Sequence, residues 1–168
     1  MAEKEDVFSS KVKYNGIFPF SDFYKFCYDW LLDEAGMPMA EEKYAEKISG
    51  ESKDIDFEWK GSKKVDDYFK YELKVKFKII GLTKVEIKDA DGKTLKSNKG
   101  SIEIGIKGTL VRDYEGKFDT SPMYKFMRRV YDKWILVSRV KEVEGKLVDT
   151  CNDFLEQAKA YLDLAGRK

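Results

Sequence analysis

Residues 68–79 read Tyr-Phe-Lys-Tyr-Glu-Leu-Lys-Val-Lys-Phe-Lys-Ile. On an extended chain Phe69, Tyr71, Leu73, Val75, Phe77 and Ile79 fall on one side, while Tyr68, Lys70, Glu72, Lys74, Lys76 and Lys78 fall on the other. This period of two predicts a strand with one face in a core and one in water, the pattern of an antiparallel sheet covered on a single side.

The same alternation continues on either side of that stretch. Upstream, Ile55, Phe57 and Trp59 alternate with Asp54, Asp56, Glu58 and Lys60, and a loop is expected around Gly61. Residues 41–48 are open between a helical turn and a strand, with strand the preferred reading, and a weaker alternation over 7–18 reads as a first strand. Downstream, Val85 and Ile87 resume the pattern after Gly81, Asp91-Gly92 marks a hairpin turn, and Ile102, Ile104, Ile106 and Leu110 return on the inner side. A bulge or bend is expected at Gly108.

Two regions carry the 3.6-residue period of helices instead. Ser21 as N-cap and Gly36 with Pro38 as stop bracket a helix over 22–35. Its polar stripe is narrow (Asp22, Lys25, Asp29, Asp33), so it needs cover on more than one side, within the fold or from a second copy. From Pro122 a helix over 121–141 places Met123, Phe126, Met127, Val130, Trp134 and Val137 in one apolar stripe. A second, over 142–165, turns Leu147, Cys151, Phe154, Leu155, Ala158, Tyr161 and Leu162 inward, the two meeting near Gly145 as a hairpin or a kinked single helix.

The expected fold is therefore α+β. An antiparallel meander of four to five strands carries one N-terminal and two C-terminal helices on its apolar face, in a single domain over 1–168 with residues 1–6 as a disordered tail. In layout it resembles the helix-grip domains that bind lipids. What that resemblance implies is a cavity for an apolar ligand between sheet and helices.

Composition narrows the chemistry. There is no histidine, which removes the usual general base near neutral pH, the commonest transition-metal ligand and every Ser-His or Cys-His pair. Phosphate-loop, nucleophile-elbow and dinucleotide motifs are lacking too, so a non-catalytic protein without a cofactor is expected. Asp54, Asp56 and Glu58 stand about 7 Å apart along one strand face, a spacing that suits Mg²⁺ in a carboxylate-based enzyme. Cross-strand pairing with the lysines of 68–79 explains them without a metal. Asp89-Ala-Asp91-Gly92 begins like a calcium loop but lacks the later ligands, and reads as a turn.

Charged residues make up 38 % of the 168 and nearly cancel, at net +1, so attraction to a polyanion must be local. Abundant Lys and acid with few amides is a thermophile-like balance. Cys27 and Cys151 fall on apolar stripes and are expected as buried free thiols. An acidic, polar start, no window of 18 apolar residues and no lipidation motif give the expectation of a cytoplasmic protein without a membrane span.

The lysines of the long strand form a basic sheet face with little aromatic interleaving, which reads as a solvated face that discourages edge pairing. The helix over 121–141 is more distinctive. Lys125, Arg128, Arg129 and Arg139 form a stripe opposite the core with Leu136 exposed among them. Arginine suits phosphate and carboxylate recognition. The expected function is a binding module that contacts an acidic protein surface or a nucleic-acid backbone through Lys125, Arg128, Arg129, Leu136 and Arg139. The alternatives are a carrier of an apolar ligand and the Mg²⁺ enzyme.

Overall fold

Alternation and turn chemistry give five antiparallel strands in one sheet, ordered β1-β5-β4-β3-β2. They are β1 (Glu3–Phe18), β2 (Met39–Ser49), β3 (Ser52–Lys64), β4 (Phe69–Lys88) and β5 (Thr94–Arg112). Helix α1 (Phe20–Asp33) follows β1, and α2 (Pro122–Val130) and α3 (Val137–Gly166) follow β5. This computed structural model describes residues 3–66, 68–88, 90–112, 122–130 and 137–166.

The weak first strand is sixteen residues long and pairs with β5 from Glu3↔Arg112 to Phe18↔Asn98. Residues 3–6, expected as tail, thus belong to the sheet. The irregularity expected at Gly108 lies across from it, in β1 between Asp6 and Phe8. Gly61 lies within β3 rather than in a loop, paired with Met39. A Cβ there would run into Met39 Sδ and lie 2.7 Å from the Pro38 carbonyl oxygen. The strand is kept by the absence of a side chain. Likewise β4 continues through Gly81, whose φ of 66° forms an irregularity between Ile80 and Thr83, with Asp54 Oδ1 accepting the Gly81 N–H at 2.9 Å.

The inner face of the sheet carries Ile55, Phe57, Trp59, Leu73, Val75, Phe77, Ile79, Ile102, Ile104 and Ile106, all buried. Five strands about 4.8 Å apart span about 19 Å, which two helices of about 10 Å diameter cover. Helix α1 meets the sheet through Tyr24, whose ring lies 5.2 Å from Phe57 and 5.0 Å from Trp59. Its other flank meets α3, with Phe26 stacked on Tyr161 at 4.7 Å and Trp30 against Phe154 at 5.7 Å. The sheet and α3 supply the two-sided cover that its sequence asks for. The start of α1 is capped from a distance: Ser21 is not the N-cap, and the Phe20 N–H donates to Asn98 Oδ1 of β5 at 3.1 Å.

Helix α3 lies over β1 and β5. It runs without interruption through Gly145, so the junction expected near that residue is not found there. Tyr71 Oη donates to the Val143 carbonyl at 2.6 Å and ties the helix to β4. Cys27 and Cys151 are buried and free, and burial raises both thiols, Cys151 to about 12.

Candidate functional site

The expected basic stripe is divided between two helices. Lys125, Arg128 and Arg129 belong to α2, where Lys125 and Arg129 are exposed; the Arg128 side chain and Leu136 lie outside the described residues. Arg139 sits in the first turn of α3 and is engaged within the chain, 3.5 Å from Asp66 and 3.3 Å from Glu142. The structure therefore brings Lys125, Arg128 and Arg129 onto one helix and leaves Arg139 to an internal network.

The larger departure concerns the other side of α2. Met123, Phe126, Met127 and Val130, expected in the core, are 73 %, 67 %, 49 % and 37 % exposed. Their spacing, i, i+3, i+4, i+7, puts them on one face, with Lys125 and Arg129 turned away from it. With α1 and α3 already covering the sheet, this third helix has no core left to face. Pro122 supplies a first helical residue that needs no N–H partner. The helix carries no acidic residue and three basic ones. An amphipathic helix presented in this way can lay its apolar face in a groove while its cations meet acids at the rim.

The carboxylates considered for a metal have other roles. Asp54 holds the Gly81 amide, Glu58 lies 3.6 Å from Lys74 Nζ and 3.7 Å from Lys76 Nζ, and Asp56 stands opposite Lys78. Among the described residues no cluster of Asp, Glu, Cys or His is arranged to hold a metal ion.

At the centre of the interior between helices and sheet, aromatic rings pack together: Phe57 stacks on Phe77 at 4.5 Å and Trp59 lies 4.8 Å from Phe77. An open groove of about 740 Å³ lies at the start of α1, with Phe20, Asp22, Lys84, Lys96, Ser97 and Asn98 in its walls. Its cations share it with Asp22 and Glu86. The Asp22 carboxylate already occupies the helix N-terminus that an anion would seek.

No helix among the described residues is long and apolar enough to cross a membrane. No known family model, no curated protein and no solved structure matches this chain.

Proposed function

We propose that the protein is a non-catalytic binding module that presents α2 to an acidic protein with an apolar groove. The observation that carries this reading is the exposed face of Met123, Phe126, Met127 and Val130 opposite Lys125 and Arg129. Helix-in-groove recognition uses anchors at this spacing, and methionine adapts to the shape of the groove it enters. Completing the burial of four such side chains is worth about 5 kcal/mol before the cost of association, enough to matter to affinity. A nucleic-acid backbone would satisfy the cations alone and leave the apolar face in water, which favours the protein partner.

The test is affinity capture with the full chain, the Phe126→Asp variant and the Lys125→Gln/Arg129→Gln variant, each retained protein being identified and its isoelectric point determined. The expected result is an acidic protein held by wild type and lost, at least tenfold, from both variants, whose melting temperatures match wild type because α2 is outside the core. Equal capture by all three, release by nuclease, or binding that vesicles abolish would overturn the reading.

A further inference from the structure

The outer face of the sheet carries a charge arrangement that folding alone disfavours. Lys60 of β3 stands directly opposite Lys74 of β4, and Lys74 directly opposite Lys107 of β5. The three lysines thus form a row across adjacent strands about 4.8 Å apart, with no acid between them. Like charges directly opposite each other destabilise a sheet. Carboxylates from neighbouring rows relieve this only in part. Glu58 is shared between Lys74 and Lys76, and Glu103 between Lys11 at 3.2 Å and Lys13 at 3.9 Å. Asp6 meets Lys107 at 3.1 Å, and no ion pair engages Lys60 among the described residues. With Glu58 and Glu103 each serving two lysines, this face keeps a positive excess.

The row beside it contains a gap. Gly105 lies between Lys11 and Lys76, and its missing side chain opens a depression of about 340 Å³. Lys11, Lys43, Lys76 and Lys78 border it together with Asp56, Glu58 and Glu103. The central rows carry no aromatic side chain, since the rings of these strands point inward. The face thus offers point charges without the stacking platforms that unpaired bases require.

We infer that the outer sheet face docks the phosphate backbone of a nucleic-acid duplex without reading its sequence. The Lys60, Lys74, Lys107 row supplies the cations, and the depression at Gly105 leaves room for a phosphate. This surface is separate from α2 and independent of the reading given to that helix.

The experiment is fluorescence anisotropy of a labelled 24-base-pair DNA duplex, titrated with the full chain between 25 and 200 mM salt. Wild type is expected to bind with log affinity falling linearly against log salt, at a slope of about −0.9 per phosphate contacted. The Lys60→Gln/Lys74→Gln/Lys107→Gln variant should shallow that slope by about 2 to 3. It should melt close to wild type, because the like-charge pairs it loses offset the loss of the exposed ion pairs Lys74–Glu58 and Lys107–Asp6. Lys125→Gln/Arg129→Gln should leave the slope unchanged. Absence of binding at 25 mM salt, an unchanged slope in the triple variant, loss of binding in the α2 variant, or equal affinity for poly-glutamate would overturn the inference.

Discussion

Alanine at Gly108 probes a place where α3 and β5 approach closely. A Cβ added there would stand 3.0 Å from Cys151 Sγ and 3.2 Å from Leu147 Cγ, and both of those residues are fully buried. Apolar atoms prefer about 3.5–4.0 Å, so α3 must retreat by several tenths of an ångström or two side chains must leave their rotamers. Overpacking of this kind costs about 1–3 kcal/mol. Replacing glycine in a strand returns about 0.5–1 kcal/mol of backbone entropy, for a net loss of about 1–2 kcal/mol. In a domain of this size that lowers the melting temperature by about 2–8 °C.

Urea unfolding followed by circular dichroism measures the loss, and a second substitution tests its cause. Cys151→Ala alone leaves a small cavity, but combined with Gly108→Ala it makes room for the added methyl. The double variant should therefore be more stable than the sum of the singles predicts, by about 0.5–1.5 kcal/mol. A Gly108→Ala protein as stable as wild type, or a strictly additive double variant, would refute the packing of α3 against β5 at this point.

Two further outcomes follow from the same packing. Gly145→Ala should raise stability by about 0.5–1 kcal/mol, read as a higher melting temperature, because the residue is exposed in mid-helix with nothing within 4 Å of an added Cβ; a loss would mean that the helix breaks there. Burial raises the hydroxyls of Tyr24, Tyr71 and Tyr161 above the usual 10.0. Their folded values lie above their unfolded ones, so the stabilisation is complete below pH 10 and is lost as pH rises through the folded values. Thermal scans from pH 8 to 11 should show this decline, less steep in Tyr71→Phe, and an identical slope in that variant would contradict the assignment.

The sheet was legible because one-sided burial writes itself into a strand as strict alternation. Residues 55–59 and 69–79 show it, and the register keeps their apolar sets together on one face. The edge strand β1 was faint for the matching reason: with Val7, Val12, Tyr14 and Ile17 only partly buried, burial constrains it less. Gly61 and Gly81 read as breaks because glycine's scarcity in strands reflects lost side-chain packing. Here Gly61 admits Met39, and Gly81 takes a left-handed φ beside Asp54. At the candidate site, Lys125 and Arg129 were legible as exposed cations. The apolar face of α2 was misassigned because amphipathicity shows that a helix has a face to bury, and not whether this chain's core has space for it. Counting helices against sheet width supplies the missing signal.

The pairing of β1 with β5 also has a bearing on synthesis. Among the described strands β1 is synthesised first, yet the strand it pairs with, β5, is synthesised after the other three. At about 5–20 residues per second, β1 waits on the order of 5–20 s for its partner. Throughout that interval it is an unpaired segment with strand-forming tendencies beside other nascent chains. Lys11 and Lys13, alternating with Val12 and Tyr14, make it a poor template for such neighbours. The faintness of its apolar pattern therefore protects the chain before the sheet exists to receive it.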